Sequence, residues 1–139
     1  MIYLDHNATT PLDPKVRAEM ARCDDIFGNP SSAHLAGQRA RRIVDTARAR
    51  VARFIGARPE EILFTSGGTE ANNLAILGAV RGKGRVICSG VEHQAVLGPC
   101  RALAVRGHEL TLWPVQDNGV LIGDFTIPAD TVLVSAMLA

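Results

Sequence analysis

A glycine turn is the segment of the sequence best suited to hold a charged ligand. Residues 62–65 (ILFT) have the composition of a buried strand, residues 66–68 (SGG) predict a tight turn, and residues 69–80 predict a helix. Unpaired amides at a helix start and the helix dipole favour an anion, and glycines let a phosphate approach the backbone. The turn therefore suits a phosphate with the Thr69 hydroxyl as a donor. In the alternative interpretation, Thr69 only caps the helix.

A histidine follows the next predicted strand of the chain. Residues 85–89 (RVICS) have the composition of a strand, and residues 89–96 (SGVEHQAV) follow it at the same carboxyl edge of the sheet. His93 then faces the expected ligand crevice, where an imidazole can stack on a planar cofactor or transfer protons near neutral pH. The alternative is a histidine at a helix start that bonds to the backbone. The residues alone leave both interpretations open.

Three further polar segments are best interpreted as solvated surface. Residues 3–11 and 27–34 are rich in turn formers, and the arginines of a predicted helix at 36–55 lie opposite its apolar stripe. Residues 1–58 carry a net charge of +4 and residues 59–139 carry −3, but the whole chain is close to neutral at +1. Aromatic residues make up only 4% and do not alternate with the arginines, so we expect no nucleic-acid partner.

An alternation of helices and strands must position these groups. The sequence predicts helices at 14–26, 36–55, 69–80 and 93–106, with Gly56 and Gly107 ending the second and the fourth. It predicts strands at 62–65, 85–89, 109–115 and 131–136, and a turn at 117–119. Strands that alternate with helices indicate an α/β fold whose mostly parallel sheet is covered by helices on both faces. An amino-terminal loop and helical segment (1–58) precedes this α/β part (59–139).

Length and composition exclude several classes of protein. The 139 residues, 47% hydrophobic and 21% charged, are enough for one globular domain with a real core. No apolar run approaches the roughly 20 residues that span a bilayer, and no secretory signal is visible, so we expect no membrane partner. Three cysteines without a CxxC pair indicate reduced thiols in a cytoplasmic protein. The four histidines lack ligand spacing, so no metal site is predicted.

Four segments taken together resemble the cysteine desulfurases, which are pyridoxal-phosphate enzymes of the class V aminotransferase group. They are residues 3–11 (YLDHNATTP), 27–32 (FGNPSS), 64–73 (FTSGGTEANN) and 92–97 (EHQAVL), in the same order and at similar spacing. The resemblance implies that the α/β part is a partial fold type I large domain. It also implies that the cofactor is pyridoxal 5'-phosphate.

The resemblance implies that the segments at 3–11 and 27–34 lie near the active site, and it assigns expected roles to individual residues. Gly68 and Thr69 match the positions that bind the cofactor phosphate, and His93 matches the histidine that stacks on the pyridine ring and assists proton transfer. The implied reaction takes sulfur from L-cysteine to an enzyme cysteine as a persulfide and leaves L-alanine, for iron–sulfur cluster or thio-cofactor assembly. The implied partners are a second subunit in a homodimer and sulfur-acceptor or scaffold proteins.

The chain has no clear match to the Schiff-base lysine or to the persulfide cysteine on which the family's chemistry depends. The family needs a lysine that forms a Schiff base with the cofactor, and neither Lys15 nor Lys83 has the matching context. The persulfide cysteine of the family lies on a later segment, and Cys23, Cys88 and Cys100 are expected to be packing residues. We therefore expect this polypeptide alone to bind no covalent cofactor and to show no turnover.

The carboxyl end predicts a piece of a larger domain, because the chain stops on a buried-type strand at 131–136. Two alternatives to an amino-terminal part of a cysteine desulfurase remain open at this stage. One is a related class V lyase, such as a selenocysteine lyase. The other is a non-catalytic fragment with a binding role.

Overall fold

The computed structural model describes residues 2–123 and 126–137 of the chain. In chain order the elements are α1 (Pro14–Ala21), α2 (Leu35–Ile55), a short 3₁₀ helix (Pro59–Glu61), α3 (Gly68–Ala79), β1 (Arg85–Ser89), α4 (Gln94–Val105), β2 (Glu109–Trp113) and β3 (Thr131–Ser135). Two compact units divide the chain, Met1–Leu63 and Phe64–Ala139. The predicted boundary after residue 58 lies inside the first unit, and the division into two domains stays a prediction.

The first unit is built on two helices with defined starts. Asp13 begins α1 by accepting a hydrogen bond from the Lys15 amide at 2.7 Å. The predicted helix at 14–26 is too long, because α1 ends at Ala21 and the Cys23 amide bonds only three residues back, to Met20. Two aspartates follow, and negative charge is unfavourable at the carboxyl end of a helix.

The long helix α2 agrees with the sequence. The His34 ring accepts a hydrogen bond from the Gly37 amide at 3.3 Å where the helix starts. Gly56 ends it with φ of 71°, the left-handed stop that the sequence predicts. None of the helices among the described residues is both long enough and apolar enough to cross a membrane.

The second unit contains a parallel sheet of three strands in the order β2-β1-β3. Central β1 is the most buried strand, and its Val86 and Cys88 face α3 and α4. The core shared by these elements consists of Ile76, Val86, Cys88, Val96, Leu97, Cys100 and Leu103. The predicted parallel α/β architecture is therefore confirmed.

One predicted strand is wrong. Residues 62–65 form no strand, and Leu63 and Phe64 are 69% and 51% exposed. A strand exists only when a neighbouring strand supplies hydrogen bonds, and among the described residues only β2, β1 and β3 pair in the sheet. The division between the two units also falls inside this run, after Leu63.

The remaining elements of the second unit follow the predicted pattern closely. Strand β2 ends at Trp113, two residues earlier than predicted, because Pro114 has no amide to continue a ladder. The predicted turn at 117–119 is confirmed, with Gly119 at φ of 85° and the Gln116 amide bonded to the Val120 carbonyl. Gly107, at φ of 94°, follows α4 as the predicted stop.

The cysteines divide into two kinds. Cys88 and Cys100 are fully buried in the core of the second unit, so the prediction that they are packing residues is confirmed. Burial first, and then the neighbouring Cys88 thiol, raise the pKa of Cys100 to about 12. Cys23 is exposed, so the prediction that it is a packing residue is wrong. It follows the short helix α1, which buries no residue.

Candidate functional site

A cavity of about 350 Å³ lies between α3 and α4. Its walls come from the start of α3, the residue that precedes α4 and the adjacent face of α4: Thr69, Asn73, His93, Gln94, Ala95, Gly98, Pro99 and Ala102. Both helices begin at the edge of the sheet where β1 ends, because α3 leads into β1 and α4 follows it. The structure thus places Thr69 and His93, which the sequence singles out from separate segments, around the same space.

The start of α3 keeps its amides open. Gly67 precedes the helix and supplies no side-chain hydrogen bond. The first amides, at Gly68, Thr69 and Glu70, have no acceptor within the helix because no carbonyl lies one turn before them. The Thr69 hydroxyl has no hydrogen bond to any described residue, and Thr69 is the second residue of the helix. The alternative that Thr69 caps α3 is therefore wrong.

Nothing in the described chain requires the two glycines at this helix start. Gly67 has φ of 162°, an extended conformation that any residue adopts, and Gly68 is helical. A Cβ atom placed on either residue would meet no other atom within 4 Å. The space above the amides is therefore open, as an approaching anion would need.

Glu70 lies in the first turn of α3 but bonds away from the open amides. Its Oε2 accepts hydrogen bonds from the Ser66 hydroxyl at 2.6 Å and from the Ser66 amide at 2.7 Å. The hydroxyl first, and then the amide, lower the pKa of Glu70. Asn73, one turn later, donates its side-chain amide to the Thr69 carbonyl at 2.8 Å. These bonds fix the turn and the first helical turn without using the amides of residues 68–70.

His93 closes the start of α4 with its own ring. Its Nδ1 accepts a hydrogen bond from the Ala95 amide at 3.0 Å, and its carbonyl accepts from the Val96 amide at 2.8 Å. An amide can only donate, so Nδ1 holds a lone pair and the proton of the neutral ring is on Nε2. The interpretation of His93 as a backbone-bonded histidine at a helix start is confirmed. Nε2 has no partner among the described residues, so the same ring can also act on a ligand.

Sequence reasoning missed three residues near the cavity. Asn73 lies four residues after Thr69, so helical spacing would have placed it on the same face. Gln94 directly follows His93 and also lines the cavity. Glu92 is buried, only 8% exposed, and its carboxylate accepts a hydrogen bond from Ser135. No local signal in the sequence indicates that contact.

The polar segments at 3–11 and 27–34 lie in the first unit and are ordered by their own contacts. The Tyr3 hydroxyl bonds to the carbonyls of Asp5 and Thr9. The second segment packs so closely that a Cβ atom on Gly37 would lie 2.6 Å from the Asn29 carbonyl oxygen. Their functional roles stay predictions.

The fold and the paired helix starts define the class: part of the large α/β domain of a fold type I protein. The chain belongs to the aminotransferase class-V family, which it matches over residues 2–138.

Three individual proteins show which members of this family the chain is similar to. The chain is 49% identical to cysteine desulfurase IscS of Pseudoalteromonas translucida (strain TAC 125), covering 98% of this chain and 36% of the relative. Its fold is similar to that of a solved NifS-like protein, with a TM-score of 0.85 and 37% identity over 97% of this chain and 39% of that one. It is also similar to SspA in complex with cysteine, with a TM-score of 0.78 and 34% identity over 96% and 41% of the two chains. The chain therefore spans 36–41% of the length of these relatives.

Proposed function

We propose that this chain is the amino-terminal part of a pyridoxal-phosphate-dependent cysteine desulfurase. The observation that carries the proposal is the shared cavity, which is lined both by Thr69 at the open start of α3 and by His93. Membership of the class V family supports the cofactor, and similarity to the IscS relatives supports the reaction. The residues present fit the cofactor, because an anion site and an unengaged ring nitrogen border the same space.

The phosphate would be held at the start of α3. The amides of Gly68, Thr69 and Glu70 would donate to its oxygens, with the helix dipole adding attraction, and the Thr69 hydroxyl would provide a further donor. Asn73 keeps this turn rigid through its bond to the Thr69 carbonyl. When bound, pyridoxal phosphate supplies an electron sink for a negative charge on the amino acid substrate.

His93 would hold and move a proton on the other side of the cavity. Its Nδ1 is committed to the Ala95 amide, so proton exchange with a ligand takes place at Nε2. The commitment also fixes the ring plane, because rotation of the imidazole would break the bond. General acid–base catalysis by such a group contributes about 10²–10⁴-fold to rate.

The substrate and the partners follow from the same proposal. The substrate is L-cysteine, whose sulfur passes to an enzyme cysteine as a persulfide and leaves L-alanine. Similarity to SspA in complex with cysteine favours cysteine over selenocysteine as the substrate. The complete protein is then a cytoplasmic homodimer that passes sulfur to acceptor or scaffold proteins for iron–sulfur cluster or thio-cofactor assembly.

This chain by itself would carry out no turnover and bind no covalent cofactor. Lys83 is exposed and precedes β1, whereas His93 follows it, so the two residues lie at opposite edges of the sheet. Cys88 and Cys100 are fully buried, and burial raises the pKa of both thiols. A thiol that stays protonated and enclosed is a poor sulfur acceptor.

A chimera tests the proposal with a complete protein. The matching amino-terminal segment of the Pseudoalteromonas relative would be replaced by residues 2–138 of this chain, and alanine release from L-cysteine would be measured. We expect an active chimera whose kcat falls by about 10²-fold or more in His93→Ala, because proton transfer is lost. Thr69→Val should instead weaken the affinity for pyridoxal phosphate.

Gly78→Ala serves as the matched control, since Gly78 lies in α3 away from the cavity and a Cβ atom there meets nothing within 4 Å. It should leave both quantities unchanged. A chimera that folds and binds pyridoxal phosphate but keeps full activity in His93→Ala would refute the role of His93. A folded chimera without alanine release would refute the function. The chain alone, mixed with pyridoxal phosphate and L-cysteine, should release no alanine.

A further inference from the structure

We propose that Glu92 is a positioning residue, whose buried bond to Ser135 holds the turn that presents His93 to the cavity. This role rests on the proposed function, since it matters for catalysis only if His93 serves the cofactor site. It goes beyond that function by assigning a task to the carboxylate and to the hydroxyl at the end of β3.

The placement of Glu92 is unusual for its residue type. The residue is 8% exposed, although it follows a strand and precedes a helix at the rim of the sheet. Glutamates are almost never fully buried unless they are paired. Its Oε1 accepts a hydrogen bond from the Ser135 hydroxyl at 2.8 Å. No basic side chain among the described residues forms an ion pair with it.

The turn at residues 90–93 is tied to all three strands. The Gly90 amide donates to the carbonyl of Trp113, the last residue of β2, at 3.1 Å. The Glu92 amide donates to the carbonyl of Ser89, the last residue of β1, at 3.4 Å. The Glu92 side chain provides the link to β3 through Ser135. The residue directly before His93 is thus fixed by its main chain to one strand and by its side chain to another.

Glu92 is buried just after β1, whose Cys88 belongs to the apolar core. Burial is the largest cause that raises the pKa of Cys88 and Cys100, and the Glu92 carboxylate makes a smaller contribution in the same direction. Removing a carboxylate from water costs several kcal/mol, and a single hydroxyl compensates only part of that cost. An apolar side chain of similar length would therefore stabilise this position at least as well. A carboxylate that is buried here and bonded to Ser135 therefore points to a positional task.

Ser89 provides a natural contrast to Ser135. Both residues end strands of the sheet and are largely enclosed, but the Ser89 hydroxyl is fully buried and has no hydrogen-bond partner among the described residues. Removal of the Ser89 hydroxyl leaves the turn untouched, whereas removal of the Ser135 hydroxyl releases the Glu92 carboxylate. The two serines are therefore a matched pair for an experiment.

Nitrogen NMR of the imidazole rings tests the proposal on the whole 139-residue chain without cofactor or substrate. Long-range ¹⁵N–¹H spectra at about pH 8, above the usual histidine titration, report which ring nitrogen carries the proton. In the unmodified chain His93 should show a protonated Nε2 and an accepting Nδ1. In Ser135→Ala the turn should relax, the bond to Ala95 should be populated less, and the shifts of the two nitrogens should converge. Ser89→Ala should leave them unchanged.

Glu92→Met separates positioning from stability. We expect its melting temperature to equal or exceed that of the unmodified chain, because a buried charge is removed, while the two ¹⁵N shifts of His93 converge. Glu92→Gln keeps an acceptor oxygen for Ser135 and should restore the separated shifts. His34, whose Nδ1 accepts from Gly37 in the same manner, serves as an internal reference that no variant should move.

Two results would overturn the proposal. In the first, the ¹⁵N shifts of His93 stay at their original values in both Ser135→Ala and Glu92→Met. In the second, they change as much in Ser89→Ala as they do in Ser135→Ala. Convergence of the shifts in Glu92→Met with an unchanged melting temperature would support it. An inactive chimera would refute the proposed function and leave the ring measurement standing, so the two failures are distinguishable.

Discussion

Two helices begin at the same edge of the sheet, and their starts are built in opposite ways. Helix α4 begins behind His93, whose ring accepts the Ala95 amide and closes the terminus. Helix α3 begins behind Gly67, which offers no side-chain acceptor, and its first amides stay open. Both starts border one cavity.

The difference shows that a helix start can serve either to bind an anion or to hold a group that transfers protons. An open helix start presents donors and a positive dipole end, which suit an anion. In a closed start, an amide donor of the helix is bonded to the capping side chain and is not available to a ligand. The capping group of α4 is an imidazole, however, and its second nitrogen has no partner among the described residues. The α3 start is therefore suited to hold a ligand, and the α4 start is suited to act on it.

Opening the α4 start should have the largest effect. His93→Ala removes the acceptor of the Ala95 amide, and loss of such a cap costs about 1 kcal/mol. The free energy of unfolding, measured in urea, should fall by about that amount. His93→Asn, which can accept from the same amide, should recover most of the loss. Equal stability of the alanine variant and the unmodified chain would mean that the ring does not close the helix.

Closing the α3 start is the converse change and should have a smaller effect. Gly67→Asp places a carboxylate at the helix start in a backbone conformation that aspartate tolerates, so stability should rise by a few tenths of a kcal/mol. The added charge should also abolish the shifts that inorganic phosphate causes in the amide resonances of residues 68–70. The neutral Gly67→Asn is the matched control, with a similar gain in stability and a smaller loss of phosphate binding. Phosphate shifts of unchanged size in Gly67→Asp would contradict an anion site at this terminus.

The site could be predicted from the sequence where its signals are local. The glycine turn and the histidine after a strand are short segments with characteristic residue types, and both lie where they were expected. The choice between the alternatives for each residue could not be made, because it depends on individual hydrogen bonds. Thr69 proved to lack a cap bond, and His93 proved to have one.

The missing strand at 62–65 and the buried Glu92 depend on features that are not local. Residues 62–65 have strand composition, but no described strand lies beside them. The buried carboxylate of Glu92 bonds to Ser135, 43 residues later in the chain. A glutamate between Val91 and His93 has the pattern of a solvated turn, and only the parallel pairing of β3 with β1 brings the serine to it. Local composition carries neither kind of information.

The smallest predicted effect is a pH dependence that belongs to the α3 start. The hydroxyl and amide of Ser66 lower the pKa of Glu70 from its ordinary value of 4.5. A group whose pKa is lower in the folded state stabilises the fold above its unfolded pKa, and that contribution is lost as pH falls through the folded pKa. The free energy of unfolding should therefore decline more steeply below about pH 5 in the unmodified chain than in Glu70→Gln.

Glu61 has a pKa lowered in the same direction by Arg58, so acid dependence of the unmodified chain alone would not identify the helix start. Urea unfolding from pH 6 to pH 3 should be compared for the unmodified chain, Glu70→Gln and Glu61→Gln, with pH values chosen around the usual glutamate range. High salt should leave the Glu70 difference largely unchanged, because its cause is hydrogen bonding to the neutral Ser66 hydroxyl and amide and not an ion pair. Parallel pH profiles for Glu70→Gln and the unmodified chain would show that Glu70 does not bond to Ser66 in solution. In that case the carboxylate would be free to turn toward the open amides and compete with the anion that α3 is proposed to hold.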